Sequence, residues 1–437
     1  MRDLQEKINR LAEERQERLI DILRTLVAFE TVSPPARNTE EAQSYVKDVL
    51  LNLGFETEEW ELFPGDRIVA GTKQGERSEE YQSLLLNGHM DVVAVGDEAS
   101  WKYPPFVITE EEGLLYGRGT SDMKGGMASS LFALELLQEL GIKQKGDIFF
   151  QSVTGEEAGE AGTKSCVDRG MKADFAIVAD TSNLEIHGQG GVITGWITIK
   201  SKETYHDGLR SRMIHAGGGI NGASAIEKMA KVIEGLQELE RHWAITKSYP
   251  EFPMGSTTIN PSVIEGGRNA AFIADECRLW ITVHFYPNET YEEVAKEIEE
   301  HILAVAMADP WMKNNPPLFK WGGKSMIEER GEVFPALDVD HTHEALAVLK
   351  EQHQTVSKRK AVVSMSSTVT DAGWLGAAGI PAVIYGPGKL DDAHAVDEKV
   401  ELHQLLEHSK VLAGFIAKWC STERSNTHDE AEARAIY

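Results

Sequence analysis

Four short apolar runs constrain this chain more than any other feature: residues 84–86 (LLL), 147–153 (DIFFQSV), 175–179 (FAIVA) and 381–385 (PAVIY). Each is short for a helix and is bounded by glycine, proline or polar residues. That is the pattern of strands covered on both faces. The residues just after each run are also alike. Asn87-Gly88 ends the first, and His89 and Asp91 come directly after it. Thr154-Gly155-Glu156-Glu157 closes the second, Asp180 the third, and Gly386-Pro387-Gly388 and then His394 come after the fourth. Open α/β sheets bind ligands just beyond the carboxyl ends of their strands. Parallel neighbouring strands would therefore gather these groups along one sheet edge. Singly, each has a structural reading: a turn with a satisfied histidine, or solvated glutamates. Their coincidence does not.

The rest of the chain is consistent with an α/β domain. Apolar residues recur at helical spacing over 4–28 and stop before Thr31-Val32-Ser33-Pro34-Pro35, a cluster of helix breakers. A second helix is predicted over 40–54, closed by Gly54, and a long apolar one over 123–140, with Asp122 as its N-cap. Between Gln189 and about Ile302 the texture changes. Residues 192–200 alternate with period two, a helix is predicted over 223–236, strands over 257–263 and 277–285, and a helix over 289–302. That order predicts a small α+β domain inserted into the first, with Gly188, Gly190 and Gly191 as hinge. The expected division is 1–188 and 311–437 for a catalytic domain with a mixed, mostly parallel sheet flanked by helices. Residues 189–310 form the insertion, and 421–437 a polar tail.

Composition removes several alternatives. With 44 Lys and Arg against 70 Asp and Glu, the formal charge is −26, which opposes binding to nucleic acid or an anionic membrane. Three separated cysteines, Cys166, Cys277 and Cys420, argue against a disulfide framework and fit a reducing compartment. No apolar run approaches a membrane span, and the charged stretch from Arg2 to Arg18 is no signal peptide. A cytoplasmic protein is expected.

Two histidines and three carboxylates suit two divalent cations of the zinc kind, without a cysteine. Two close metals need a bridging carboxylate, for which Asp122 is the natural candidate. One of the adjacent glutamates can then bind metal while the other serves as general base toward a water that attacks a carbonyl.

The ordered motifs GHMDVV (88–93), GRGTSDMKGG (117–126), TGEEAG (154–159), VAD (178–180) and GPG…AH (386–394) resemble the dinuclear zinc peptidase and deacylase family. Its members include acetylornithine deacetylase, succinyl-diaminopimelate desuccinylase, carboxypeptidase G and aminoacylase. The resemblance covers nearly the whole chain. It implies that His89 and Asp180 bind one zinc (cobalt being an alternative), that Glu157 and His394 bind the other, and that Asp122 bridges. It makes Glu156 the general acid/base, with Asp91 orienting the site through His89. The family's Gly-Lys-x-x-x-His pattern of the lid and dimerisation domain appears here as Ser201-Lys202-Glu203-Thr204-Tyr205-His206. His206 would stabilise the oxyanion, in the partner subunit's site, which implies a homodimer. Asn260 matches a substrate-contacting lid asparagine.

Two departures bear on the substrate. Segment 207–218 is longer than the family's turn and contains His215, a competitor for the role of His206. Where the family often has an arginine, this chain has His284, which reads a carboxylate less well. The expected activity is removal of a small acyl group from an N-acylated amine, of the acetylornithine deacetylase and succinyl-diaminopimelate desuccinylase kind. The alternatives are an N-formyl aminopyrimidine deformylase of thiamine salvage, which the long lid segment and missing arginine suit, and a dipeptidase or carboxypeptidase. A non-catalytic metal-binding relative is the reading of another class.

Overall fold

The computed structural model describes residues 2–34, 37–214, 221–323, 325–327 and 331–424. His215 and residues 425–437 of the expected tail lie outside the described residues. The four apolar runs are adjacent strands of one eight-stranded sheet. Its order is Glu56–Phe63, Asp66–Lys73, Ile148–Val153, Leu84–His89, Phe175–Val178, Ala382–Ile384, Ile186–Gln189 and Val363–Ser366. Ile148–Val153 and Phe175–Val178 both run parallel to Leu84–His89, and Ala382–Ile384 runs parallel to Phe175–Val178. The outer pairings are antiparallel, apart from the last. Register brings the strand ends together: His89 lies opposite Val153, Asn87 opposite Val178, and Val178 opposite Ile384.

Helices cover both faces, as a sheet of buried strands requires. Lys124–Glu139, Leu402–Trp419 and Gln16–Ala28 build the larger core, around Leu84, Leu86, Leu131, Phe132, Phe150 and Phe415. Ala372–Ala377 supplies Ala372 and Leu375 to the other side, against Leu85, Ala176 and Ile384. Lys124–Glu139 approaches the sheet so closely that a Cβ on Gly126 would lie 1.8 Å from the Ala179 carbonyl oxygen. The helix expected over 4–28 is two, Arg2–Glu14 and Gln16–Ala28, broken at Arg15. The first packs mainly on Leu402–Trp419 and the second on Lys124–Glu139. Arg15 and Arg18 pair with Glu139 and Glu135 at the break.

Gly191–Lys200 leaves the large sheet and centres a second, antiparallel one. Its order is Ile259–Gly266, Glu276–Phe285, Gly191–Lys200 and Leu318–Trp321, with Val333–Phe334 also on Gly191–Lys200. Glu276–Phe285 alternates strictly between buried and half-buried residues. Helices Ala225–Thr246 and Tyr291–Ala308 close a separate core over Leu279, Ile281, Val283, Leu236, Trp243 and Ile298. The second sheet extends past the expected boundary at 310, because strands of four and two residues are too short to show a period. No helix among the described residues is long and apolar enough to cross a membrane.

A carboxylate and imidazole cluster at the strand ends

His89 is the last residue of its strand and is buried. Its Nδ1 lies 2.9 Å from the Asp91 carbonyl oxygen. A carbonyl only accepts, so Nδ1 carries a proton, and Nε2 is the ring atom turned to the carboxylates. That Nε2 faces Asp122 Oδ1 at 3.2 Å and Glu156 Oε2 at 3.9 Å. The other oxygen of Asp122, Oδ2, lies 3.2 Å from His394 Nε2, which is also 3.0 Å from Glu157 Oε2. Ligand atoms of His89, Asp122 and Glu157 fall within 4.8 Å of one another. Glu157 Oε1 is buried without a hydrogen-bond partner among the described residues. Asp180 is buried at the end of its strand and accepts the Thr181 N–H at 2.6 Å.

The cluster is short of positive charge. Burial pushes Glu156 well above the usual carboxylate range, with the charges of Glu157 and Asp180 adding to it. Burial, then the charge of Asp122, pushes both Glu157 and Asp180 up to about 7. Hydrogen bonds to Asp122 and Glu157 raise His394 to about 10. Burial alone would lower His89, but Asp122 and the charges of Glu156 and Asp91 outweigh it and hold it well above the ordinary value. Lone pairs opposed across about 3 Å need a proton or a cation between them. The donor set of imidazole nitrogens and carboxylate oxygens fits divalent zinc or cobalt.

Local chemistry explains how the glutamates are presented. Gly155 has φ 87°, and a Cβ there would lie 2.6 Å from the Glu160 Cβ. The Asp91 carboxylate accepts the N–H groups of Gly155 at 2.9 Å and Glu157 at 3.0 Å. Asp91 therefore holds His89 through its carbonyl, while its carboxylate, 3.7 Å from the ring, fixes the glutamate turn. The link to His89 that was expected of Asp91 runs through its backbone carbonyl, and its side chain adds a contact to the glutamate turn.

The expected capping role of Asp122 is not found. The helix starts at Lys124 with Met123 at the N-cap position and no side-chain cap. The Asp122 carboxylate faces the two imidazoles instead, and Glu398 holds its loop. Glu398 Oε1 accepts the N–H groups of Ser121 at 2.8 Å and Asp122 at 3.0 Å; Oε2 accepts Gly119 N–H at 2.9 Å and Arg118 Nη1 at 2.7 Å. Sequence reasoning missed Glu398 and Arg118, since no local pattern marks a charged residue as buried. It also missed Asp371, a buried carboxylate before Ala372–Ala377, which burial and the charges of Asp91 and Asp180 push up to about 7. Its one signal was a lone aspartate before an apolar helix.

The remaining candidates lie apart within one chain. His206 is exposed on a two-strand ribbon with Phe272–Ile273, and its Nδ1 accepts the Gly208 N–H at 3.1 Å. Asn260 is exposed on the edge strand Ile259–Gly266, opposite Thr282. His284 is half-buried opposite Val192, and burial lowers its pKa. None of the three hydrogen-bonds the cluster.

The fold carries a cluster of imidazoles and carboxylates that could hold metal, and the chain belongs to peptidase family M20/M25/M40, whose model matches residues 85–418. It is a hydrolase of that family acting on linear amides. It is 57% identical over 421 residues to the N-formyl-4-amino-5-aminomethyl-2-methylpyrimidine deformylase of Bacillus subtilis (strain 168), covering 96% of this chain and 98% of that one. It is 26% identical over 421 residues to the acetylornithine deacetylase of Proteus mirabilis (strain HI4320), covering 93% and 98%. Its fold is similar to that of the Bacillus subtilis YXEP protein, a dinuclear metal binding peptidase from the M20 family. That match has a TM-score of 0.64 and 16% identity, over 93% of this chain and 98% of that one.

Proposed function

We propose that this protein hydrolyses the formamide of N-formyl-4-amino-5-aminomethyl-2-methylpyrimidine to formate and the free aminomethylpyrimidine. The observation that carries the chemistry is Asp122, with one carboxylate oxygen against each of two imidazoles. The substrate rests on the 57% identity over almost the whole chain, which favours the deformylase over the acetylornithine deacetylase reading. His284 supports it: where the family often has an arginine, a histidine whose pKa burial lowers is a weaker partner for a substrate carboxylate, and the formylpyrimidine has no carboxylate.

In this reading His89 and Asp180 would hold one divalent ion, Glu157 and His394 a second, and Asp122 would serve both; zinc or cobalt fits. Such ions would supply polarisation of a carbonyl and a lowered pKa of water. The residues do the rest. Glu156 takes a proton from water, the water oxygen bonds to the formyl carbon, and the C–N bond breaks as Glu156 passes that proton to the leaving nitrogen. Burial suits Glu156 to this exchange by raising its pKa. The second sheet acts as lid and dimerisation unit, bringing His206 to the oxyanion of a partner's site and Asn260 to its substrate. The edge strand Ile259–Gly266, which among the described residues pairs on one side, exposes Val263 and Ile264, and this supports the homodimer. Three buried, unpaired cysteines support a cytoplasmic setting.

The test is amine release by metal-loaded protein from the formylpyrimidine, N-acetylornithine, N-succinyl-diaminopimelate and a dipeptide, with Glu156→Ala as blank. Preferred turnover of the formylpyrimidine is expected. Preferred turnover of N-acetylornithine would overturn the substrate. Turnover undiminished in Glu156→Ala would overturn the mechanism.

A further inference from the structure

At the opposite end of the same strands lies a second concavity, of about 670 Å³. Phe175 and Ala382, the first residues of two parallel strands, line it, whereas the carboxyl ends of those strands lead to Asp180 and His394. Its volume is that of a small-molecule site. One wall comes from the second sheet and the start of Tyr291–Ala308, through Phe285, Glu289 and Glu292. The other comes from the catalytic domain, through segments 335–346 and 376–383. An occupant would touch both units where the chain passes between them.

The chemistry of the lining is one-sided. The floor is apolar and buried: Phe175, Leu346, Ile380 and Val383. The His343 ring stacks on Phe175, with centroids 5.2 Å apart and planes at 24°, giving a flat aromatic surface. Around it stand four carboxylates, Glu289, Glu292, Asp338 and Asp340, and among the described residues no lysine or arginine lines the cavity. Glu289 is engaged by Lys247 and the Tyr286 N–H. Asp338 and Asp340 are exposed at the rim, each with one oxygen held, by Tyr249 and Thr342. A flat apolar floor with an anionic rim selects a cation carried on a ring, and rejects anions.

We propose that this cavity is a binding site for a small protonated amine on a flat apolar ring, separate from the cluster at the strand ends. The amine product of the proposed reaction is of this class, a link that rests on the deformylase reading; the site itself does not.

The test is calorimetric titration of the full-length, metal-loaded protein with benzylamine and with benzyl alcohol, its neutral counterpart of the same shape. Variants are Ala336→Trp, which fills the cavity, and the double change Asp338→Asn, Asp340→Asn, which removes rim charge. Saturable binding of benzylamine at least tenfold tighter than the alcohol is expected, lost in Ala336→Trp and weakened severalfold in the double variant. Ala377→Phe replaces Ala336→Trp should the latter not fold. Absence of saturable binding, equal affinity for amine and alcohol, or full binding in the filled variant would each overturn the site. No turnover is read, so failure of the deformylase assay is a separate result.

Discussion

Glu398 accepts the backbone N–H of Asp122 at 3.0 Å, joining residues 276 positions apart. Through its other contacts the same carboxylate holds Gly119, Ser121 and Arg118, and Arg118 Nη2 reaches the His394 carbonyl at 3.4 Å. One buried ion pair thus ties the loop of Asp122 to the loop of His394. Glu398→Ala leaves the Arg118 guanidinium uncompensated and should cost about 3–5 kcal/mol of stability. Glu398→Gln keeps the shape but turns an N–H toward other N–H groups. Its metal affinity should fall roughly 10–100-fold, read by competition with a chromophoric chelator. Unchanged affinity would show that the clamp serves folding alone.

Asp91→Asn tests the second support. An amide nitrogen cannot accept, so the N–H of Gly155 or Glu157 loses its partner, at about 1–3 kcal/mol. Turnover should fall further than binding, because Glu156 sits between those two donors. Separate kcat and KM values would show it; a change in KM alone would contradict this account.

Among the described residues, His394 is the imidazole that meets both Glu157 Oε2, at 3.0 Å, and Asp122 Oδ2, at 3.2 Å. His394→Ala should halve the metal content measured by native mass spectrometry, leaving the ion at His89. Extraction with a chelator should abolish turnover, and zinc or cobalt should restore it. Full metal content in the variant would argue against the ligand assignment.

His408 provides a pH prediction at a residue outside the cluster. It is buried with Nδ1 2.7 Å from Ser129 Oγ and Nε2 3.0 Å from the Tyr385 carbonyl, and burial lowers its pKa from 6.5 to about 4. Between those values the unfolded chain binds the extra proton and the folded chain does not. Stability is therefore retained above pH 6.5 and lost as pH falls toward 4, by roughly 3 kcal/mol. Urea unfolding across this range should show the slope in the parent and a shallower one in His408→Gln.

Much of the site was legible because its parts are local. A short apolar run leading to His89, Glu156 or Asp180 is visible without knowing what it packs against. Strand order then brings those ends together. Asp122 shows the limit: its place before an apolar helix suggested a cap, yet its carboxylate turns to two imidazoles from distant strand ends. His206, Asn260 and His284 were named from resemblance alone, and the single chain brings none of them to the cluster.

The sequence by itself determined which side chains stand at the ends of buried strands, and so the chemical type of the site. It did so because strand burial and the loops that end strands are written in short-range patterns of apolar and polar residues. Only the tertiary structure decided that the two oxygens of Asp122 divide between His89 and His394, that Asp91 holds the glutamate turn, and that Glu398 clamps the loop of Asp122. Those facts depend on hydrogen bonds between segments tens to hundreds of residues apart. Such bonds are fixed by sheet order and register, which no local pattern encodes.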